Sequence, residues 1–146
     1  MNDFTIVTRH IVMSEHLNPN GTLFGGQLLA WLDSDLAIFA CEHAKYKSLV
    51  TASMDNVKFK APGRIGDVVK IYAKILEVKP HYLLIKGKAV AHNVETGEER
   101  LIIECDIKMV AVDESGRLIK KFVPEKSLID QLIIGTDAVI SSILKR

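Results

Sequence analysis

The chain has 146 residues, 48% of them hydrophobic and 25% charged, with 19 Lys and Arg against 18 Asp and Glu and a formal net charge of +1. That length suits one domain burying about 70% of the surface its unfolded chain exposes, and the composition excludes a disordered chain. The charge balance gives no electrostatic case for nucleic acid as the main partner. No apolar run reaches the roughly 18 residues of a membrane span. Residues 1–4 lack the basic-then-apolar pattern of a secretion signal. Cys41 and Cys105 are far apart in apolar surroundings, so reduced thiols in a cytoplasmic protein are expected.

In chain order, residues 4–13 are rich in β-branched and aromatic side chains and predict a strand, followed by a turn from Asn18 to Gly21. Residues 27–44 contain no Gly or Pro and predict a helix. At 100° per residue, Leu28, Leu29, Leu32, Leu36, Phe39 and Ala40 fall within a sector of about 120°, the apolar face of a core helix. Four strand-like segments follow at 48–60, 67–78, 81–93 and 99–113, separated by turns at Ala61-Pro62-Gly63, Lys79-Pro80 and Glu95-Thr96-Gly97-Glu98. In the last of them Leu101, Ile103, Cys105, Ile107, Met109 and Ala111 alternate with Glu104, Asp106 and Lys108, a strand with one buried face. From Pro124 onward an apolar pattern predicts an amphipathic helix, interrupted near Gly135, that packs on the sheet or on a neighbouring subunit. Sequential strands with short turns are expected to be antiparallel. The whole reads as an α+β domain, a curled antiparallel sheet around one long helix. Its uncovered edges call for a homo-oligomer.

Polar residues within the apolar helix are the most informative feature. With Leu28 at zero, Asp33 falls at about 140°, bordering the buried sector, and Asp35 at about 340°, on the opposite flank beside Glu42 and Trp31. Two readings of Asp33 stand at this point: a solvated or structurally bonded flank residue, or a partly desolvated carboxylate working as general base or nucleophile. Gly25 and Gly26 stand where the helix begins. They read either as a loop that needs glycine or as a close approach by a ligand to free N–H groups at a helix N-terminus. Asn18 and Asn20 are turn formers whose amides could also orient a water or a carbonyl. Other chemistries lack support. The five histidines show no metal-ligand spacing and the two cysteines form no CxxC pair. No P-loop, GxGxxG or GxSxG run is present. The Lys and Arg residues are spread along strands, as on a solvated sheet face.

The run Asn18-Pro19-Asn20-Gly21-Thr22-Leu23-Phe24-Gly25-Gly26, followed by a helix with Asp33, resembles the acyl-CoA thioesterases of the hotdog fold. Within that family it is similar to the bacterial YciA-type enzymes and the cytosolic long-chain acyl-CoA hydrolases. The stretch 53–68, from Ser53-Met54-Asp55-Asn56 to Gly66-Asp67-Val68, matches the same subgroup, as does Met109-Val110-Ala111-Val112-Asp113 with Gly116. The resemblance covers residues 5–118, a thioesterase domain, and leaves 119–146 as a helical tail. It implies a dimer that joins two sheets edge to edge, assembled further into a hexamer (a trimer of dimers), with active sites at the dimer interface. It matches Asp33 to the catalytic carboxylate and Asn18 to an asparagine that works with it from the other subunit. The backbone N–H of Gly26, beside Gly25, is then the natural oxyanion donor. The implied reaction is hydrolysis of acyl-CoA to a carboxylic acid and coenzyme A, with no metal and no cofactor, coenzyme A being part of substrate and product. Lys60 and Arg64, flanking the Pro62 turn, are candidates for contacting its phosphates or are ordinary surface charges. Two alternatives share the fold. A hotdog dehydratase or hydratase would need a His–carboxylate pair on the helix, where only His43 lies, at its end. A non-catalytic acyl-CoA sensor would carry a DNA-binding segment or lack the carboxylate, and this chain has Asp33.

Overall fold

A computed structural model describes residues 3–119. Most of the tail expected over 119–146 therefore lies outside the described residues. The elements run β1 (Thr5–Ile11), a short 3-10 turn (Ser14–His16), α1 (Gly25–Ala44), β2 (Leu49–Phe59), β3 (Val68–Lys79), β4 (Tyr82–His92) and β5 (Glu99–Ala111). The helix starts two residues before the expected 27–44, taking in both glycines, and ends where Lys45 adopts a left-handed conformation at φ 53°.

All five strands form one antiparallel sheet in the order β1-β3-β4-β5-β2. β2 and β3, consecutive in sequence, are not neighbours. β2 lies on the far edge beside β5, and residues 60–67 carry the chain across to β3. Among the described residues two edges remain, β1 and β2, and β2 is the barer. Beyond Leu49 no β2 residue is fully buried, and Val50 and Phe59 are exposed.

The core lies between the concave face of the sheet and α1. Val69, Ile71, Ala73 and Ile75 from β3, Leu83, Ile85 and Ala89 from β4, and Ile103, Cys105, Ile107 and Met109 from β5 pack on Leu28, Leu32, Leu36, Phe39 and Ala40. Strict alternation fails at the start of β5. The register slips between Ala89 and Val90, so Ile102 turns inward and Leu101 is only half-buried. A bulge adds one residue and switches the faces beyond it. At Gly87 a Cβ would stand 2.6 Å from Cδ2 of Leu36. The bare backbone there lets the helix lie closely on the sheet. The convex face carries Lys70, Lys74, Lys86, Lys88 and Lys108, all half-buried, with Lys70 paired to Glu99 at 2.7 Å.

Candidate active site

The segment 17–24 delivers the chain to the helix in a fixed shape. The side-chain Oδ1 of Asn18 accepts from the backbone N–H of Asn20 (2.9 Å) and of Thr22 (3.1 Å), and its Nδ2 donates to Thr22 Oγ1 (3.0 Å). Asn18 is thus a turn builder in the protomer. The backbone N–H of Phe24 donates to the carbonyl of His16 and that of Leu23 to the carbonyl of Gly63, each at 2.8 Å. Phe24 then occupies the N-cap, and among the described residues no side chain caps the helix; its first turn contains no acidic residue. A Ser, Asp or Asn at that position would have consumed an N–H group, and an acidic residue would have neutralised the positive end of the helix dipole. The N–H groups of Gly25 and Gly26 are consequently left for another acceptor. Both residues are hemmed by rings: a Cβ would stand 3.2 Å from Phe59 at Gly25 and 2.6 Å from Phe24 at Gly26. Phe24 and Phe59 are each more than half exposed, at 55% and 56%, an apolar rim around the helix start.

Asp33 lies seven residues beyond Gly26, so the two stand on one stripe of the helix about 10 Å apart along the axis. Its Oδ1 accepts a 2.6 Å hydrogen bond from the Thr51 hydroxyl on the edge strand β2. In the protomer Asp33 is exposed rather than partly desolvated, because the flank of α1 that carries it faces the bare edge of the sheet. The buried helix carboxylate is instead Asp35, 5% exposed, whose Oδ2 lies 2.7 Å from Nε2 of His10. His10 stacks on Trp31 with ring centroids 4.4 Å apart, and His16 meets the same indole edge-on at 5.0 Å. Strand β1 packs over that flank of the helix, which the helical wheel alone does not reveal.

Lys60, Pro62 and Arg64 belong to the crossing segment 60–67. The backbone N–H of Lys60 donates to the carbonyl of Ile102 (2.9 Å), and its ammonium stands 4.0 Å from Glu104. Arg64 forms a bridge with Thr22, so this segment abuts the loop that leads to Gly25 and Gly26. Lys60 and Arg64 are exposed. The structure therefore brings Asn18, Gly25, Gly26, Pro62 and Arg64 into one neighbourhood through the paired segments 22–24 and 63–64. Within one protomer Asp33 lies two helical turns away from it.

Four residues beyond the sequence reading join this picture. Thr51, which holds Asp33, and His10, which pairs with Asp35, sit on strands distant in sequence, and no local pattern links them. Asp67, 3% exposed, and Arg100 hold the crossing segment, with Nη2 of Arg100 2.7 Å from Oδ2 of Asp67. A Gly-Asp pair opening a strand is the only local signal for that clamp. Among the described residues, no cluster of His, Cys, Asp and Glu is arranged to hold a metal ion, and no helix is long and apolar enough to cross a membrane.

A curled antiparallel sheet around one long helix is the architecture of the hotdog thioesterases. Residues 20–98 match the sequence profile described as Thioesterase superfamily, and the chain belongs to that family. It is 31% identical over 115 residues to the acyl-CoA thioester hydrolase YciA of Escherichia coli, covering 77% of this chain and 86% of that protein. It is 32% identical over 97 residues to the acetyl-coenzyme A thioesterase of Mus musculus, a longer protein of which it spans 17% while 66% of this chain is covered. Among solved structures, a hexameric broad-specificity acyl-coenzyme A thioesterase superposes with a TM-score of 0.81 at 26% identity, over 97% of this chain and 99% of that one. A hexameric hotdog fold thioesterase of Campylobacter jejuni gives 0.74 at 28% identity, over 86% and 93%.

Proposed function

We propose that this protein hydrolyses acyl-CoA thioesters to a carboxylic acid and coenzyme A, in a site shared between two protomers. The observation that carries the reading is the spacing of Gly26 and Asp33 on one helix. A tetrahedral oxyanion needs a donor within about 3 Å, and the attacking group needs the same proximity to the same carbon. Two groups about 10 Å apart on a rigid helix cannot both serve one carbonyl. A second protomer, related by a two-fold axis through the bare β2 edge, runs its helix the opposite way. Asp33 of the partner subunit then stands opposite Gly26, and Gly26 of the partner opposite Asp33. The same contact covers exposed Asp33, Phe59 and Val50 and satisfies the open edge of β2.

The chemistry follows from that arrangement. The thioester carbonyl points its oxygen at the Gly26 N–H, where the helix N-terminus favours the developing negative charge. Asp33 from across the interface, held by Thr51, takes a proton from water as the water oxygen bonds to the carbonyl carbon. Collapse breaks the C–S bond, and the proton passes to the departing sulfur. Direct attack by Asp33, forming an anhydride that water then opens, uses the same geometry. Asn18 fits a supporting role across the interface through the second N–H of its amide Nδ2, since its Oδ1 and the other N–H are engaged by its own turn. Lys60 and Arg64 extend from the Pro62 segment toward the phosphates of coenzyme A. The reaction draws on no cofactor. By similarity to the hexameric relatives, three such dimers assemble into a hexamer, and the free thiols suit a cytoplasmic protein.

The test is thiol release from a panel of acyl-CoAs by the wild type and by Asp33→Asn. The wild type should turn over, and Asp33→Asn should lose at least a hundredfold in kcat with an unchanged circular dichroism spectrum. Near-normal turnover by the variant would remove Asp33 from the mechanism. Binding of acyl-CoA without hydrolysis by the wild type would favour a sensor.

A further inference from the structure

Arg100 lies at the start of β5, opposite Ala91 of β4, yet its side chain leaves the strand to hold the crossing segment. One nitrogen, Nη2, donates both to the carbonyl of Pro62 (3.1 Å) and to Oδ2 of Asp67 (2.7 Å), while Nη1 lies 3.4 Å from Glu98. Asp67 uses the same Oδ2 to accept from the backbone N–H of Arg64 (2.9 Å), and its own N–H donates to the Arg64 carbonyl (3.0 Å). Those reciprocal bonds close a tight turn over residues 64–67, in which Gly66 takes φ +84°, a conformation few other residues adopt. Gly63, one residue before the turn, accepts from Leu23 and leaves its Cα only enough room for Leu23 to lie against it, a Cβ there standing 3.0 Å away. The guanidinium therefore fixes both ends of the segment that carries Pro62 and Arg64. Burying the Asp67 carboxylate is unfavourable unless it is paired and hydrogen-bonded, and the planar guanidinium sets one nitrogen between that carboxylate and the Pro62 carbonyl while its neighbour reaches Glu98, a fixed spread of donors that the single ammonium of a lysine does not reproduce.

We infer that Arg100, acting through Asp67 and the Pro62 carbonyl, is a positioning residue for the nucleotide half of the substrate. It holds the 60–67 segment in the shape that presents Lys60 and Arg64 to the phosphates of coenzyme A. The inference rests on the thioesterase reading above. Arg100 touches no reacting atom in this scheme. Its effect falls on recognition of the phosphorylated handle and not on the chemical step.

Butyryl-coenzyme A and butyryl-pantetheine share the thioester and differ in the nucleotide and its phosphates. Their hydrolysis by wild type, Arg100→Lys and Asp67→Asn separates the two effects. Arg100→Lys keeps a cation beside Asp67, so the fold is retained, and gives up the planar guanidinium that spans Asp67, the Pro62 carbonyl and Glu98. Asp67→Asn keeps an acceptor for the Arg64 N–H and loses the charge. The expected result is a KM for butyryl-coenzyme A raised about tenfold in both variants, with kcat within about twofold, and kcat/KM for butyryl-pantetheine unchanged within about twofold. Arg64→Gln should reproduce that pattern. Equal losses on both substrates would reduce Arg100 to a purely structural role and overturn the inference. A wild type that prefers butyryl-coenzyme A, and variants that keep its KM, would overturn it as well. A wild type that hydrolyses neither substrate would overturn the thioesterase reading itself, a result distinct from the other two.

Discussion

At the scale of single residues, Gly26 makes the sharpest claim because two properties coincide there: a free N–H and no room for a side chain beside Phe24. They can be separated. Gly26→Ala adds a Cβ that Phe24, half exposed, can yield to, and it keeps the N–H. Gly26→Pro adds a ring and deletes the N–H, at a first-turn position where proline costs the helix little. The expected outcome is a kcat lower for the proline variant than for alanine by about 100-fold, the effect of losing one oxyanion donor. Similar rates in the two variants would show that the N–H is not used. Cys105 supports a second prediction of a different kind. It is fully buried on β5, and burial raises its thiol from 9.0 to about 11. The folded state thus holds the neutral thiol while the unfolded chain ionises at a lower pH. The associated stability is complete below about pH 9 and is lost as pH rises toward about 11. Urea midpoints should fall more steeply over that window for the wild type than for Cys105→Ala.

At the scale of elements, the fold hangs on the fit of one helix into one concave face. Gly87 sits where Leu36 and Leu32 press on β4, with Cδ2 of Leu36 already where a Cβ would go. Leu32 and Leu36 are fully buried and have nowhere to move. Gly87→Ala should therefore destabilise the domain by about 1–3 kcal/mol, read from urea unfolding; a neutral result would mean the helix can lift off the sheet cheaply. Most of these elements were legible beforehand. Helix and strands announce themselves by period, and Leu32, Leu36, Ile107 and Met109 fall on the expected faces. Pairing was not legible, since alternation along a strand says which face is buried and nothing about which strand lies alongside. Hence β2, which precedes β3 in the chain, stands next to β5 with nothing in its own alternation to say so. The bulge at Ile102 was hidden for the same reason. The helical wheel placed Asp33 and Asp35 on opposite flanks, as found. Which flank the sheet would cover depended on β1, and the partners that decide it, His10 and Thr51, lie 25 and 18 residues away. The uncapped helix start was open to reading in Phe24 itself, an aromatic residue where Ser, Asp or Asn is usual.

At the scale of the whole molecule, the proposed site requires two chains, and that has a signature no single-chain site can imitate. Asp33→Asn and Gly26→Pro should each be inactive alone. In a mixed dimer one site collects both defects and the other collects none. Mixing the two inactive proteins after dissociation and reassembly should restore about a quarter of wild-type activity, half the dimers being mixed and each carrying one intact site. No recovery, with subunit exchange verified by mass spectrometry, would place both groups in a single-chain site or show that one of them is dispensable. The clamp of Arg100 on the crossing segment works within each protomer and should behave the same in every pairing.

The seven-position step from Gly26 to Asp33 also sets how the proposed activity responds to abundance. The rise of a helix is fixed, so in the proposed mechanism a lone chain carries both halves of the chemistry and can bring neither to the other. Specific activity should then be no constant of the polypeptide. As the protein is diluted through its dimer dissociation constant, the rate per chain should fall in step with the dimeric fraction, and a newly made chain should stay silent until it meets a second.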